Sequence, residues 1–422
     1  MLTGSALPLA EFLVRKENNM EKNKKKNKKW SRPIHRVVFY LLAFVLKPIY
    51  RIRYGYTTKH VDMPKDEPCL ILSNHQTFAD QFLVGFSFYK HPIYTMATER
   101  IFNLGFISSV IKFFTAPIMK KKSKVDIMAV KNSAKVLKEG GKVLIFPEGN
   151  CTYDGRLCTI STGAAKMVKM LKVPVLLYNL HGGYGAKPRW ARSARRGKMT
   201  GCVVKKLMPE EYESLSAEEL SLKINEYLTV KEIPSDVPFK SNRRAEYLEK
   251  MLYWCPHCNS YQTLYSKGNH VTCTNCGMTA EYTVNLTFNG ENCPCTTTEW
   301  YDMQAAALLK KLSNFDGTIF KDEIAKLSSF GDGKTVFISK GEISLTPTTF
   351  TAGGKTFDVK DIESMAIQQN SAIIFYVNDV SYFLKGGKRF NPLKYMHAFY
   401  MLKHLSSGGN YDEPIVNVYL GL

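Results

Sequence analysis

Two short runs of residues, each at the end of an apolar segment, carry side chains whose types and spacing suit acid–base chemistry. In the first, Asn74 and His75 follow the apolar residues 69–73, and Asp80 comes five residues after the histidine. Residues 69–73 read as a buried strand and residues 79–88 as a helix, so the imidazole is expected on the turn between them. That turn can bring Asp80 against the ring, which would orient it while the other ring nitrogen takes a proton from an alcohol. Taken alone, such a pair is also a common surface feature.

The second run, residues 146–149, reads Phe-Pro-Glu-Gly and ends a predicted strand that follows Gly140 and Gly141. Open α/β folds bind their ligands at the carboxyl ends of the sheet strands. Glu148, Gly149 and free backbone N–H groups are therefore expected at the same sheet edge as the histidine turn. A strand that ends in a Pro-Gly turn with a solvated glutamate would explain the glycines, but not the Asn-His turn that precedes it in the chain.

Taken in order, the residues His75 and Asp80, the run 146–149 and the apolar run Val173–Leu177 resemble the glycerolipid acyltransferase superfamily, whose best-known members acylate lysophosphatidate. The resemblance covers about residues 50–230, the size of one domain. It implies an α/β fold with a mixed sheet flanked by helices. It also implies transfer of a fatty acyl group from acyl-CoA or acyl carrier protein to a hydroxyl of a lysophospholipid, most simply 1-acylglycerol-3-phosphate. His75 would be the general base and Asp80 its orienting partner, with the substrate hydroxyl itself as the nucleophile.

The chain departs from the superfamily pattern where phosphate is expected to bind. Relatives that take lysophosphatidate usually carry an arginine two residues after the last glycine of the second run, where this chain has Cys151. Lysines stand where another arginine is usual, and lysine lacks the two-pronged guanidinium. The acceptor head group therefore stays open, and a non-phosphatidate lysolipid or a glycolipid is an alternative. The residues expected to bind substrate are Asn74, Lys120, Lys122, Phe146, Pro147, Glu148, Gly149, Asn150 and, in place of the missing arginine, Arg156.

The charge of the chain is concentrated at its start. The protein has 422 residues and a net charge of +21, and its first sixty residues contain 14 Lys and Arg against 3 Glu. A polybasic stretch at residues 22–36 precedes the apolar run 37–46, which is shorter than the roughly 20 residues that span a bilayer. We therefore expect residues 22–50 to bind membrane lipids at the interface, on the cytoplasmic face. The alternative is a buried helix that ends at Pro48 behind a disordered tail.

Two Cys-x-x-Cys pairs predict a structural zinc site. Fourteen residues separate them, which suits a tetrahedral ion held by four thiolates, as in a zinc ribbon. Disulfides are the alternative, but ten cysteines without a convincing export signal favour a reducing compartment. Cys293 and Cys295 are expected to be spare thiols. The predicted ligands are Cys255, Cys258, Cys273 and Cys276.

A basic chain with a zinc ribbon also suggests a nucleic-acid-binding protein, which is the rival function. Between Cys255 and Cys276, however, Lys267 is the only Lys or Arg, so no nucleic-acid partner is expected. A second basic stretch, residues 187–198, could hold lipid head groups or an acidic carrier protein, or form a solvated loop.

The remaining patterns divide the chain into six segments. Period-two runs after residue 335, followed by a helix starting at Asn391-Pro392, are similar to a pleckstrin-homology-like module. The sequence does not indicate an oligomeric state. The predicted segments are 1–50, basic tail and interfacial helix; 51–232, acyltransferase domain; 233–250, linker helix; 251–296, zinc ribbon; 297–330, connecting helices; and 331–422, β-rich module.

Overall fold

The computed structural model of the chain describes residues 29–98, 102, 106–120, 126–158, 160–313, 315–331 and 334–408. Three β-sheets follow one another along these residues, with helices covering or connecting them. Lys122 and the polybasic residues 22–28, both singled out from the sequence, lie outside the described residues.

The first sheet is mixed and mostly parallel, with strand order β1-β7-β6-β2-β5-β3-β4. Only the β6–β7 pair is antiparallel. Every residue of β2 and β5 is buried, as expected for strands covered by helices on both faces. The strands are β1 (Tyr56–Thr58), β2 (Cys69–Ser73), β3 (Ile93–Thr98), β4 (Ile118–Lys120), β5 (Lys142–Ile145), β6 (Val175–His181) and β7 (Met199–Leu207).

In the described part of the chain seven helices accompany this sheet, and together they form the mixed α/β arrangement expected from the sequence. The last of them begins with a capping box, in which the Ser216 hydroxyl accepts from the Glu219 N–H. The helices are α1 (Pro33–Tyr54), α2 (Asp80–Ser87), α3 (Phe106–Phe114), α4 (Ile127–Lys138), α5 (Thr162–Leu171), α6 (Gly183–Ala186) and α7 (Ala217–Leu228).

Helix α1 is longer than the apolar run that predicted it. It has 22 residues and continues through Pro48, because Ile49 and Ile52 extend the apolar face beyond Lys47. Two of its side chains are strongly exposed, Phe44 to 72% and Ile52 to 77%. By length and composition alone the helix could cross a membrane, but core helices and signal sequences pass the same test.

The second sheet is a small antiparallel meander that carries the cysteine pairs. Residues 233–250, predicted as a linker helix, instead form irregular backbone with one 3₁₀ turn at Leu248–Lys250. Contacts to the meander override local helix preference: the Ala245 N–H donates to the Gly268 carbonyl, and Tyr247 is left-handed with φ +76°. The strands are β8 (Leu264–Lys267), β9 (His270–Cys273), β10 (Thr279–Tyr282) and β11 (Phe288–Asn289).

The third sheet has seven antiparallel strands in the order β15-β14-β13-β12-β18-β17-β16, followed by a closing helix. Asn391 caps that helix, as predicted, by accepting from the N–H groups of Leu393 and Lys394. The strands and the two helices of this region are α8 (Thr297–Leu312), β12 (Phe320–Gly331), β13 (Lys334–Leu345), β14 (Thr349–Ala352), β15 (Lys355–Asp358), β16 (Ile362–Gln368), β17 (Ala372–Val377), β18 (Val380–Gly386) and α9 (Pro392–Ser406).

The prediction of connecting helices at 297–330 is therefore wrong in its second half. Only α8 is helical there, and β12 begins at Phe320. A break in the β12–β13 register between Asp322 and Ala325 interrupts the alternation that would have identified a strand. Partners on both sides, β13 and β18, nevertheless make β12 a central strand of the sheet.

One continuous core connects the three sheets. Trp190 packs edge-on against Tyr282 of the meander, and Phe288 packs against Trp300 of α8. Farther along, Phe320 contacts Tyr395 of α9. The first sheet is thus supported from behind by the rest of the chain, and this arrangement positions the residues described next.

Candidate active site

The turn after β2 brings His75 and Asp80 into direct contact. The His75 Nδ1 lies 2.8 Å from the Asp80 Oδ2. Asp80 is the first residue of α2 and is completely buried, whereas the His75 side chain keeps 17% of its surface exposed. The pair expected from the sequence is therefore assembled, with the carboxylate inside and the ring reaching the surface.

Several donors besides the imidazole hold the Asp80 carboxylate. The N–H groups of Gln76 and Thr77 donate to its Oδ2, and the Thr77 hydroxyl donates to its Oδ1 at 2.7 Å. Because these donors come from the same turn, the turn folds around the carboxylate. Asp80 can thus orient His75 and stabilise a positive charge on the ring without moving itself.

One face and the Nε2 edge of the His75 ring contact residues of the second run and of the segment that follows it. Phe146 stacks on the imidazole with ring centroids 4.2 Å apart, and the Cys151 Sγ lies 3.2 Å from Nε2. Burial alone would lower the pKa of His75, but the neighbouring Cys151 and Asp80 outweigh it and raise that pKa to about 10. With Nδ1 held by Asp80, the Nε2 edge is the one that faces Cys151.

Two residues expected to bind substrate form hydrogen bonds with backbone groups around the site. The Glu148 carboxylate is buried and accepts from the N–H groups of His75, at 2.5 Å, and Cys158, at 2.8 Å. Burial raises the pKa of Glu148 to about 7 against these two donors. The Asn74 side-chain amide is paired with both backbone groups of Leu180. With their polar atoms engaged in this way, Glu148 and Asn74 position the histidine turn.

A largely apolar cavity of about 530 Å³ opens beside the His75 ring, within the range typical of small-molecule sites. Of the residues expected to bind substrate, Phe146, Gly149 and Asn150 line it, whereas Pro147 does not. Gly149 has φ +68°, a conformation that glycine adopts without strain, so its backbone can follow the cavity wall.

The cavity has a polar end and an apolar arm. His75 and Asn150 belong to the polar end. The arm continues beneath α1 and past α2 and β3, where its lining includes Leu42, Ala43, Phe82, Phe86, Ile93 and Ile111. This lining suits a hydrocarbon chain with a polar head.

The cations expected at the site are placed differently. Lys120 lines the cavity, and burial lowers its pKa to about 8. Arg156 does not line the cavity, because its guanidinium pairs with Asp154 and with Asp302 of α8. Its charge is already matched by two carboxylates, so the structure corrects its assignment as the substitute for the missing arginine.

A different arginine, not identified from the sequence, reaches the cavity. Arg189 is only 3% exposed and lines the polar end beside Asn150 and Cys151. It belongs to the basic stretch 187–198, in which Trp190 and Arg195 are also buried, so this stretch is not a solvated loop. The sequence feature that could have indicated this burial is Trp190, a large apolar residue within a run of cations.

The four cysteines of the meander converge as predicted. Their Sγ atoms all lie within 4.8 Å of one another, which could hold a metal ion. The Cys258–Cys273 and Cys255–Cys276 sulfur distances are 3.7 and 3.8 Å, close to the roughly 3.8 Å edge of a tetrahedron with Zn–S bonds of about 2.3 Å. All ten cysteines are free, and Cys293 and Cys295 stand outside the cluster.

An oriented histidine at the mouth of a largely apolar cavity, on the carboxyl edge of a mostly parallel sheet, defines a site that can activate an alcohol for group transfer. Residues 57–177 match the protein family described as Acyltransferase. This segment of the chain is therefore similar to an acyltransferase domain.

Two curated proteins and one solved structure are similar to parts of this chain. A 1-acyl-sn-glycerol-3-phosphate acyltransferase of Bacillus subtilis is 26% identical over 179 residues, which are 42% of this chain and 86% of that protein. A chloroplastic 1-acyl-sn-glycerol-3-phosphate acyltransferase of Brassica napus is 30% identical over 123 residues, 28% of this chain. The chain spans 34% of the length of that relative. The crystal structure of a 1-acyl-sn-glycerophosphate acyltransferase from Thermotoga maritima has 18% identity and a TM-score of 0.39, covering 52% of this chain and 86% of that chain.

Proposed function

We propose that the protein transfers a fatty acyl group from acyl-CoA or acyl carrier protein to a hydroxyl of a lysophospholipid, with 1-acylglycerol-3-phosphate as the simplest acceptor. The observation that carries the proposal is the 2.8 Å contact between His75 and Asp80 at the mouth of a largely apolar cavity. The match of residues 57–177 to an acyltransferase family supports the reaction class, and the names of the relatives support the acceptor.

In the proposed reaction the acceptor hydroxyl replaces the Cys151 thiol at the His75 Nε2. As the hydroxyl oxygen forms its bond to the thioester carbonyl carbon, Nε2 takes the hydroxyl proton. The carbon–sulfur bond then breaks, and the same proton passes to the departing thiolate. Asp80 keeps the ring oriented and stabilises the transient imidazolium.

The apolar arm of the cavity would hold a hydrocarbon chain of the substrates. Phe82, Phe86 and Ile111 contribute the kind of surface that acyl chains displace water from. Lys120, still largely protonated at neutral pH with its pKa near 8, would help to neutralise an anionic substrate.

The cysteine cluster would hold a structural Zn²⁺. Four thiolates leave no open coordination position, so the ion would supply no chemistry to acyl transfer and would serve to hold the small meander together. The fit of the sulfur spacing to a tetrahedral site supports this assignment.

Helix α1 would attach the enzyme to the cytoplasmic face of a membrane, where its lipid substrates reside. Its exposed Phe44, Val45 and Ile52 offer an apolar surface, and the preceding polybasic residues would add attraction to anionic lipids.

The test of the proposed function is an acceptor panel. Purified full-length protein is incubated with a radiolabelled acyl group carried on coenzyme A or on acyl carrier protein. The acceptors are lysophosphatidate, lysophosphatidylcholine, glycerol 3-phosphate, monoacylglycerol and a lysoglycolipid, each in a separate reaction. We expect the labelled acyl group to be transferred most efficiently when lysophosphatidate is the acceptor. If no member of the panel accepts label from either donor, the proposed function is wrong.

A further inference from the structure

Arg189 is a buried cation whose charge no carboxylate balances within the described part of the chain. Its Nε donates to the Gln369 carbonyl at 2.8 Å and its Nη2 to the Ile367 carbonyl at 2.8 Å. Its Nη1 donates to the Asn150 Oδ1 at 3.2 Å and the Cys151 carbonyl at 3.3 Å. All four acceptors are neutral, and no ion pair of Arg189 occurs among the described residues.

Aromatic rings fix the guanidinium in place without neutralising it. Tyr153 lies 4.5 Å from it and Phe78 lies 5.9 Å from it, measured to the ring centroids. Burying a charge is costly unless an opposite charge accompanies it. Because Arg189 lines the catalytic cavity, a ligand there can supply the missing negative charge.

The charge of Arg189 lies close to the catalytic pair. Arg189 donates to the carbonyl of Cys151, whose sulfur lies 3.2 Å from the His75 Nε2. A guanidinium has five N–H donors, so the four acceptors named above leave one N–H for a ligand oxygen. Arg156, the nearer residue in sequence, is occupied by Asp154 and Asp302.

The third sheet helps to build this part of the cavity. Ile367 and Gln369, which provide two of the four acceptors, lie at the end of β16 and in the turn that follows it. Gln368 and Gln369 also line the cavity. A segment about 180 residues distant in the chain thus holds the arginine and closes the polar end of the cavity.

We propose that Arg189, held by the backbone carbonyls of β16 and its turn, binds the phosphate group of the lysolipid acceptor, so that the third sheet is a working part of the acceptor site. This inference rests on the proposed function for the identity of the acceptor. A phosphate of coenzyme A has the same chemistry, and the kinetic experiment separates the two sources.

The experiment compares two acceptors, 1-acylglycerol-3-phosphate and the phosphate-free 1-monoacylglycerol, in the full-length enzyme and its variants. In Arg189→Gln, kcat/KM for the phosphate-bearing acceptor should fall at least tenfold through a rise in KM. The value for monoacylglycerol and the KM of acyl-CoA should stay within about twofold of wild type. Arg189→Lys keeps the charge and should retain most of the preference for phosphate.

Arg156→Gln is the matched control, because it removes an arginine that does not line the cavity; it should leave the ratio between the acceptors unchanged. Three results would overturn the inference. These are an equal fall for both acceptors, a rise confined to the KM of acyl-CoA, or a selective loss in Arg156→Gln in place of Arg189→Gln.

A binding measurement makes the outcome independent of turnover. Glycerol 3-phosphate, titrated into wild-type protein by calorimetry, should bind more tightly than glycerol, and Arg189→Gln should weaken that binding at least tenfold. Equal binding of the two compounds by wild type would refute the phosphate site even if acyl transfer is observed. Conversely, phosphate binding by a protein that transfers no acyl group would refute the proposed function and leave the anion site standing.

Discussion

At the scale of single residues, the contact between His75 and Cys151 governs how the histidine titrates. Burial works to lower the pKa of His75, while Cys151 and Asp80 raise it to about 10. A general base must be unprotonated, so activity should climb as pH rises toward that pKa. At pH values below that pKa, His75 is already protonated in most enzyme molecules and cannot take a proton from the acceptor.

Cys151→Ala should therefore move the rising limb of the pH–kcat/KM profile to lower pH, because one of the groups that raise the pKa of His75 is gone. Activity at high pH should remain within about tenfold of wild type, since the proposed transfer uses no protein nucleophile. Cys202→Ala, which removes an exposed thiol, is the control. A loss as deep as that of a histidine variant would instead mean that the acyl group passes through Cys151.

Glu148→Gln tests whether the Glu148 carboxylate stabilises the backbone of the histidine turn. The amide offers one oxygen to two buried N–H donors, those of His75 and Cys158, so one donor loses its acceptor. Such a loss costs about 1–3 kcal/mol. Urea denaturation should show that decrease, accompanied by reduced kcat because the histidine turn is less firmly held. An unchanged unfolding midpoint would contradict the assignment.

The residue scale also shows what a motif can and cannot predict. The spacing of His75 and Asp80 at a strand-to-helix turn was enough to place them together, because a short turn leaves few alternatives. The same motifs did not reveal that Asn74 and Glu148 face backbone groups. That outcome depends on contacts with Leu180 and Cys158, which belong to other segments of the chain.

At the scale of elements, the exposed face of α1 is the feature with the clearest consequence. The double variant Phe44→Gln and Ile52→Gln should weaken binding to anionic lipid vesicles in a sedimentation assay. Each large apolar side chain contributes about 1.5–3 kcal/mol when buried, so the loss should be roughly tenfold or more per residue. Met303→Gln, which changes an exposed apolar side chain on α8, should have no effect. Equal binding by all three proteins would refute α1 as the attachment.

Element prediction succeeded where local chemistry decides the structure and failed where long-range contacts do. The caps at Ser216 and Asn391 are local hydrogen bonds, and the helix at Asn391 begins where predicted. The end of the predicted linker helix, residues 243–250, has a helical composition, yet three of its N–H groups pair with the meander. In β12, an irregular register concealed a central strand.

At the scale of the whole molecule, removing metal from the cysteine cluster tests whether the stability of the fold depends on the second sheet. Purified reduced protein should contain about one zinc per chain, and a chelator should lower its melting temperature because a closed four-thiolate site contributes to folding. Cys273→Ser should lose the metal, whereas Cys295→Ser should keep it. Zinc well below one per chain in wild type would refute the site.

The cooperation between distant segments could not be predicted from the sequence. The cysteine spacing predicts a compact metal site because the ligands are local, but nothing in the pattern of β16 indicates that its carbonyls reach Arg189. Such contacts depend on how Trp190, Tyr282 and Trp300 pack into one core, a property of the assembled chain.

The most direct test of the account is His75→Ala, measured as acyl transfer from acyl-CoA to 1-acylglycerol-3-phosphate alongside the melting temperature. Removing a positioned general base typically costs about 10²–10⁴-fold in rate. The fold should persist, because Asp80 keeps its donors from Gln76 and Thr77. The account predicts a loss of that size with a nearly unchanged melting temperature, and a variant that folds normally and keeps wild-type turnover would contradict it.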